Sequence, residues 1–173
     1  NISVYDEISH TGDLRHLVTK VGFKTREVMI VLVINGQNLY NIDSLVEDFK
    51  SEIEGFKTLV LNINTKKTNV ILGLENKVIY GNGKINDYID DLIFEISPLS
   101  FFQVNPVQTE VLYNKALEYA NLSKNDTVFD IYCGIGTISL FLARKASKVY
   151  GIEIIEDAIK DAKINASINK LEN

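Results

Sequence analysis

The segment FDIYCGIGTIS, residues 129–139, brings together residue types that bind polar ligands. Asp130 lies near the end of an apolar run, and Gly134 and Gly136 follow it just before a helical pattern begins. Glycine allows a tight turn and lets a ligand approach the backbone without meeting a Cβ atom, and the first N–H groups of a helix are available to that ligand. Glu153 ends the next apolar run, a position from which an acidic residue commonly binds ribose hydroxyls. The pattern predicts a site for a nucleoside cofactor.

Asp130 also distinguishes between two classes of cofactor. The dinucleotide fingerprint G-x-G-x-x-G has Ser139 at its third glycine position in this chain, and a carboxylate beside a pyrophosphate would repel it. S-adenosylmethionine has no phosphate, and its ammonium group can be held by a carboxylate. The residues therefore favour S-adenosylmethionine over NAD. The structural alternatives are that Asp130 only caps the turn and that Glu153 is a solvated strand end.

Hydrophobic periodicity predicts the elements that position these residues. Asn105 and Pro106 indicate the start of a helix, because Asn caps helices and Pro suits the first helical position. The apolar face predicted for this helix consists of Val107, Val111, Leu112, Ala116 and Tyr119. A buried strand, a helix, a second strand and a second helix are predicted at 127–132, 137–146, 148–154 and from residue 156. Short connections between such elements are typical of a doubly wound parallel sheet.

The first half of the chain predicts an α+β domain. A hairpin turns at 23–25, and a helix covers 42–53. The predicted strands are 15–22, 26–35, 58–64, 69–73 and 92–97. The boundary is expected near 97–102, which gives two domains, 1–100 and 101–173.

Composition limits the class of protein. The chain has 173 residues, a net charge of −5 and one cysteine, Cys133. A mildly acidic chain is not expected to hold nucleic acid over its whole surface, although a local basic patch is compatible with it. One cysteine excludes an intramolecular disulfide and favours a reducing, cytoplasmic setting. No apolar run reaches the roughly 18 residues of a membrane span, and a start without Met leads us to expect a piece of a longer protein.

The phrases DIYCGIGT and YGIEI, preceded by SFFQVNPVQTEVLY, resemble the TrmA/RumA-type RNA 5-methyluridine methyltransferases. LRHLVTKVG and YGNGKINDYIDDLIFEISPLSFFQVN resemble the central region of that family, so the similarity covers almost the whole chain. The resemblance implies an α+β central domain followed by the first βαβα units of a class I, Rossmann-like, S-adenosylmethionine-dependent methyltransferase fold. It also implies methylation of uracil C5 in RNA, with ribosomal RNA favoured over transfer RNA.

The resemblance extends the set of expected cofactor-binding residues. That set is Gln103, Asp130, Tyr132, Gly134, Gly136 and Glu153. Gln103 offers both a donor and an acceptor, which suits a zwitterionic amino-acid group; simple loop capping is the alternative. Thr137 stands where some family members have Asn, which leaves its role in cofactor binding open.

The family's chemistry implies that catalytic residues lie elsewhere. Its members add a cysteine thiolate to C6 of uracil and later remove the C5 proton with a base. Cys133 lies in the cofactor turn and does not match that nucleophile, so it is predicted to be a packing residue. The nucleophile and the base are expected after Asn173, and this chain alone is expected to be inactive. Its short parallel sheet would leave edges exposed, through which self-association is expected.

A basic stretch in the first hairpin is a candidate for RNA contact. It consists of Arg15, His16, Lys20, Lys24 and Arg26. These residues could contact phosphate groups, with Phe23 stacking on a base. A solvated edge hairpin is an equally good interpretation.

Two further motifs, the histidines and an acidic run, could suggest metal sites, and two other functions are compatible with the sequence. His10 and His16 have no partner at metal-ligand spacing, so no metal site is predicted. The acidic run 87–91 is predicted to be a solvated turn. The rival functions are a nicotinamide-dependent oxidoreductase with a Rossmann-like fold and a non-catalytic RNA-binding module.

Overall fold

The computed structural model describes residues 2–173, which form eight strands and four helices. Their order is β1 (Leu14–Val21), β2 (Val28–Ile34), α1 (Ile42–Glu52), β3 (Phe56–Ile63), β4 (Glu75–Tyr80), β5 (Ile85–Ile89), β6 (Leu92–Ile96), α2 (Pro106–Ala120), β7 (Thr127–Ile131), α3 (Thr137–Ala143), β8 (Lys148–Ile152) and α4 (Glu156–Ile168). The chain divides into two compact units, the first running to Ile85 with Ser97–Leu99 and the second containing Asn86–Ile96 and Ser100–Asn173. The second unit therefore includes the segment 86–96, which the predicted boundary assigns to the first.

The first unit contains a mixed sheet in the order β1-β2-β3-β4. Strand β2 is antiparallel to β1 and parallel to β3, and β3 is antiparallel to β4. Helix α1 supplies the crossover that two parallel neighbours require. Val46 of α1 belongs to the same buried cluster as Ile30, Leu32, Leu59 and Leu61 of the central strands. The predicted hairpin and helix are confirmed.

The strand predicted at 69–73 is wrong, because this segment is irregular and β4 begins only at Glu75. The backbone carbonyls of Val70 and Ile71 accept hydrogen bonds from the Asn64 side chain, and that of Gly73 accepts one from Asn62. Carbonyls that are bonded to buried side chains in this way do not form a regular ladder. The apolar residues that suggested a strand are partly exposed instead.

The second unit contains the predicted strand, helix, strand and helix. Strands β7 and β8 are parallel, with Phe129 opposite Tyr150 and Asp130 opposite Gly151. Helix α2 begins as predicted, since the Asn105 side chain accepts a hydrogen bond from the N–H of Gln108. The core includes Ile89, Phe94, Tyr113, Leu140 and Phe141.

Burial in this unit differs from the prediction at three places. The face predicted to be apolar on α2 is largely exposed, with Leu112 at 61%, and the helix buries Thr109 and Tyr113 instead. Strand β7 was expected to be buried, but Phe129 is 62% exposed. The acidic run is not all turn, because Asp87 is buried on β5 and only Asp90 and Asp91 form the turn to β6. No helix within residues 2–173 is both long and apolar enough to cross a membrane.

Candidate functional site

The glycine turn, residues 132–136, connects the end of β7 to α3. The N–H groups of Tyr132 and Cys133 both donate to the carbonyl of Ile152, at 2.8 and 3.0 Å. Tyr132, Gly134 and Gly136 have φ angles of 72°, 54° and 85°, in the left-handed region. That region is costly for a residue with a Cβ atom, so Tyr132 is held there by the surrounding hydrogen bonds.

The two glycines of the turn have different surroundings. A Cβ atom added at Gly134 would meet no atom within 4 Å, so the backbone there faces open space. A Cβ atom at Gly136 would lie 3.3 Å from the Cβ of Ala162 on α4. Gly134 therefore offers an accessible backbone, whereas Gly136 allows α4 to pack closely against the turn.

Glu153 follows β8, and its carboxylate accepts hydrogen bonds from the backbone of the glycine turn and of the two residues before α4. Its Oε2 accepts from the N–H of Gly134 at 3.1 Å, and its Oε1 accepts from the N–H groups of Ile154 and Ile155 at 2.8 and 3.0 Å. The hydrogen bond from Ile155 is the largest cause that lowers the pKa of Glu153, and those from Gly134 and Ile154 add to it. Glu153 is therefore an anchored carboxylate, which differs from the solvated strand end considered above.

Asp130 accepts a short hydrogen bond from the hydroxyl of Ser139 on α3 through its Oδ2. This contact links β7 to α3 and gives Ser139 a role at the position where the dinucleotide fingerprint has glycine. The contact is consistent with the structural alternative for Asp130. Its Oδ1 makes no hydrogen bond with a described residue.

Cys133 is buried beside β8, where a Cβ atom on Gly151 would lie 2.8 Å from its Sγ. Burial is the main cause that raises the pKa of the Cys133 thiol, and the negative charges of Asp130 and Glu153 raise it further. A cysteine nucleophile needs the opposite shift. The geometry supports the predicted packing role.

A polar stripe holds the turn and β6 in place; it is formed by Asp161 and Asn165 of α4 and by Asn169, which caps the end of that helix. Asn165 is fully buried; its Oδ1 accepts from the N–H of Glu95 at 2.8 Å, and its Nδ2 donates to the carbonyl of Ile135 at 3.1 Å. The Asn169 side chain binds to β6: its Oδ1 accepts from the N–H of Ile93 at 3.0 Å, and its Nδ2 donates to the carbonyl of Ile93 at 2.7 Å. Sequence reasoning missed these residues, although polar side chains at every fourth position of an amphipathic helix were a visible signal.

The same stripe reaches the segment that contains Gln103. Asp161 is buried and accepts a hydrogen bond from the hydroxyl of Ser100 at 2.9 Å. Gln103 lies shortly after Ser100, between β6 and α2, where it is half-buried and makes no hydrogen bond with a described residue. Tyr132 is 84% exposed beside the open backbone of Gly134. The structure thus brings Tyr132, Gly134 and Glu153 together, and no recorded contact links Gln103 to them.

The basic hairpin differs from the expected RNA-facing strip. Arg15 is buried, and its guanidinium donates to the backbone carbonyls of Asn64, Lys66 and Thr68. The Arg15 guanidinium is therefore engaged within the fold, and its contact with RNA stays a prediction.

The other members of the strip are more accessible. His16 and Lys20 are half-buried, and Lys20 donates to the carbonyl of Ser97. Lys24 and Arg26 are exposed, with the Arg26 guanidinium 5.7 Å from the centre of the Phe23 ring. RNA contact by these four residues stays a prediction.

The residues of the turn fit a nucleoside cofactor. The backbone at Gly134 faces open space, so a ligand could approach it closely without meeting a Cβ atom. The Glu153 carboxylate has three recorded hydrogen bonds, and two carboxylate oxygens can accept about four, which leaves capacity for a hydroxyl donor. Within residues 2–173 no group of three or more His, Cys, Asp and Glu side chains could hold a metal ion.

Comparison with known proteins gives consistent matches. An uncharacterized RNA methyltransferase of Caldanaerobacter subterraneus subsp. tengcongensis is 56% identical over 173 residues, which are 100% of this chain and 38% of that protein. One from Oceanobacillus iheyensis is 54% identical over 172 residues, covering 99% of this chain and 38% of that protein. The chain therefore spans about 38% of the length of these curated relatives.

Solved structures agree with this match. The Pyrococcus abyssi tRNA (uracil-54, C5)-methyltransferase in complex with S-adenosyl-L-homocysteine superimposes with a TM-score of 0.80 at 30% identity, over 99% of this chain and 41% of that one. A Methanocaldococcus jannaschii tRNA m1G37 methyltransferase has a TM-score of 0.53 at 19% identity, over 92% of this chain and 44% of that one, and shows the fold alone. The mixed α/β fold thus matches the N-terminal part of S-adenosylmethionine-dependent methyltransferase structures.

The family model for tRNA (uracil-5-)-methyltransferases matches residues 3–173, almost the whole chain. This match confirms the resemblance seen in the sequence. The chain belongs to the tRNA (uracil-5-)-methyltransferase family.

Proposed function

We propose that this chain is part of an RNA (uracil-C5)-methyltransferase and forms the cofactor-binding start of its catalytic domain. The observation that carries the proposal is the glycine turn with the Glu153 carboxylate bonded to Gly134 at 3.1 Å. Open backbone and an anchored acid at the ends of two adjacent parallel strands are where a nucleoside cofactor binds in such sheets. The solved relative in complex with S-adenosyl-L-homocysteine supports the same cofactor.

We propose roles for the individual residues from this geometry and, for Gln103 and Tyr132, from the sequence resemblance. Glu153 binds the ribose hydroxyls, and the backbone at Gly134 allows close approach of the ligand. The exposed Tyr132 ring lies against the cofactor, and Asp130 and Gln103 hold its amino-acid group. Gly136 lines the turn from the side of α4. When bound, S-adenosylmethionine supplies the methyl group that is transferred.

The substrate that we propose is a uridine in RNA. The sequence resemblance favours ribosomal RNA over transfer RNA. The family description and the Pyrococcus abyssi relative name transfer RNA, so both RNA classes belong in an assay. The 173-residue chain alone is expected to transfer no methyl group. Its one thiol, Cys133, is buried, and its pKa is raised, so both access to uracil and formation of the attacking thiolate are disfavoured.

Calorimetric titration of the chain with S-adenosyl-L-homocysteine tests the proposal. We expect binding that Glu153→Ala weakens roughly 10- to 100-fold, the usual cost of losing a hydrogen bond to a charged group. Glu52→Ala is the matched control, because Glu52 is an exposed acid whose side chain has no recorded partner among the described residues. NAD should give no heat of binding.

Three results would count against the proposal. Equal affinities of the wild-type chain and Glu153→Ala would remove the assigned role of Glu153. Binding of NAD in place of S-adenosyl-L-homocysteine would favour the oxidoreductase alternative. A chain that binds RNA but neither cofactor would favour the non-catalytic RNA-binding alternative.

A further inference from the structure

The loop between β3 and β4, residues 64–74, is irregular but firmly held. Arg15 reaches it from β1, and its side chain is fully buried. One terminal nitrogen donates to the carbonyls of Asn64 and Lys66 at 2.7 and 2.8 Å, and the other donates to that of Thr68 at 3.0 Å. The Tyr5 ring lies 4.5 Å from the guanidinium carbon. One buried cation thus fixes the first half of the loop.

Two buried asparagines fix the second half. Asn64 donates to the carbonyls of Val70 and Ile71 at 2.8 and 3.1 Å. Asn62 donates to the carbonyl of Gly73 at 2.8 Å and accepts from its N–H at 2.6 Å. The polar backbone of the loop is therefore turned inward, toward side chains that are themselves buried.

Burying these groups has a cost, which suggests that the loop conformation is useful. The Arg15 Nε atom is buried without a hydrogen-bond partner among the described residues, and an unpaired buried donor is unfavourable. The nearest carboxylate oxygen, on the exposed Glu7, lies 3.8 Å from the guanidinium. A tight turn between adjacent antiparallel strands would need none of this, and long ordered loops commonly carry binding residues.

The held loop presents two lysines to solvent. Lys66 and Lys67 are exposed, and neither forms an ion pair with a described residue. The sequence NTKKTNVILGL contains no acidic residue. Lys115 and Lys160, by contrast, are neutralised locally by Glu118 and Asp157. In a chain with a net charge of −5, the loop is a local basic patch.

We propose that the 64–74 loop is an RNA-binding element in which Lys66 and Lys67 contact phosphate groups. The inference rests on the proposed function, since an RNA substrate supplies the phosphates. The loop carries no aromatic side chain, so it has no platform for base stacking, and contact with the RNA backbone fits its residues best. A concave surface of about 510 Å³ adjoins Lys66, with Gln37 and Thr68 among its polar lining, and can receive the sugar–phosphate chain.

In this arrangement Arg15 is a positioning residue. It was predicted to touch RNA itself, but its guanidinium is occupied by the loop. It acts through Lys66, whose backbone carbonyl it holds at 2.8 Å. Preorganised lysines lose less entropy on binding than lysines on a mobile loop.

The test is binding of a fluorescein-labelled RNA hairpin with a uridine-containing loop, followed by anisotropy over a series of salt concentrations. We expect Lys66→Ala with Lys67→Ala to weaken binding about 10-fold at low salt and to reduce the slope of log K against log salt by about 1.5. Both side chains are exposed, so the variant should fold normally. The matched control replaces Lys115 and Lys160, each already paired with an acid, and should retain the wild-type affinity and slope.

Unchanged affinity and slope in the loop variant would overturn the inference. So would a folded wild-type chain that does not bind the hairpin at low salt. Calorimetry with S-adenosyl-L-homocysteine separates this failure from failure of the proposed function, because the loop lies outside the glycine turn. Loss of RNA binding with cofactor binding retained would support both.

Discussion

The carboxylate of Glu153, at the end of β8, accepts a hydrogen bond from the backbone N–H of Gly134, 3.1 Å away in the turn that follows β7. The same carboxylate accepts from Ile154 and Ile155, the two residues before α4. The residue proposed to bind ribose therefore also fixes the turn on which the cofactor would rest. Protonation of Glu153 should therefore affect both the stability of the second unit and the geometry of the glycine turn.

The first prediction concerns acid pH. Hydrogen bonds from Ile155, Gly134 and Ile154 lower the pKa of Glu153 below its ordinary value of 4.5. A carboxyl group whose pKa is lowered in the folded state makes its full contribution to the stability of the fold above its unfolded pKa. That contribution is lost as the pH falls through the folded pKa. We expect Glu153→Gln to be less stable than the wild type at neutral pH, with the difference shrinking below about pH 4.5.

Urea denaturation of both proteins between about pH 6 and pH 3 measures this difference. The carboxyl groups of Asp6 and Asp126 also have lowered pKa values, but they are present in both proteins and cancel in the comparison. Glu52→Gln serves as the control for removing one exposed negative charge. A constant difference between wild type and Glu153→Gln across this range would contradict the prediction.

The second prediction separates the two glycines of the turn. Gly134→Ala adds a Cβ atom in open space at a φ of 54°, so we expect a loss of about 1 kcal/mol in the free energy of unfolding. That Cβ atom would lie on the face proposed for the cofactor, so S-adenosyl-L-homocysteine should bind more weakly. Gly136→Ala also places an L residue in the left-handed region, at a φ of 85°, and its Cβ atom would lie 3.3 Å from the Cβ of Ala162, so it should cost about 2 kcal/mol or more.

Urea denaturation and calorimetry on the two variants provide the comparison. We expect Gly134→Ala to weaken binding of S-adenosyl-L-homocysteine while changing the free energy of unfolding little. Gly136→Ala should mainly lower the free energy of unfolding. If Gly134→Ala binds S-adenosyl-L-homocysteine as tightly as the wild type, the open side of the turn is not the face that the cofactor uses.

The third prediction concerns Asn165. Asn165→Ala leaves the N–H of Glu95 and the carbonyl of Ile135 without their buried partner, which should cost about 3 kcal/mol in unfolding free energy. Alanine is the better helix former, so the loss cannot come from helix propensity. Asn114→Ala is the control, because Asn114 is exposed and bonds only within α2; it should change stability by less than about 0.5 kcal/mol. Equal effects of the two variants would show that the polar stripe does not hold the turn.

The local pattern of the sequence predicted the elements that carry the turn. Strands β7 and β8, the opening of α2 at Asn105 and the glycine turn all follow from residues close together in the chain. The family's phrases supplied Gln103 and Tyr132. These features depend on local backbone preference and on short motifs, which a single sequence displays directly.

Features that depend on long-range partners were not predictable in the same way. Arg15 looked like an exposed cation, yet it bonds to carbonyls far along the chain in the 64–74 loop. Asn165 was not among the residues that the sequence pattern singled out, yet it bridges β6 and the glycine turn. Buried polar side chains are nearly always hydrogen-bonded, and when the partner is far along the chain, as it is for Arg15 and Asn165, hydrophobic periodicity does not reveal it.

The fourth prediction concerns the exposed side of the two-stranded sheet. Phe129 and Ile131 of β7 are 62% and 61% exposed, and Tyr150 and Ile152 of β8 are 44% and 51% exposed. The rings of Phe129 and Tyr150 stack at 5.2 Å, so the side chains form a continuous apolar surface. Surfaces of this kind promote association when they are left uncovered, and we expect the purified 173-residue chain to form dimers or larger species.

Light scattering after size exclusion measures the mass over a range of concentrations. Ile131→Lys with Ile152→Lys should shift the protein toward the monomer, because two cations on one face repel their counterparts in a second copy. Ile8→Lys is the matched control, since Ile8 is 93% exposed in the first unit and its replacement should leave the mass unchanged. A wild-type chain that stays monomeric at every concentration would contradict the prediction, and a control that also becomes monomeric would assign the effect to net charge.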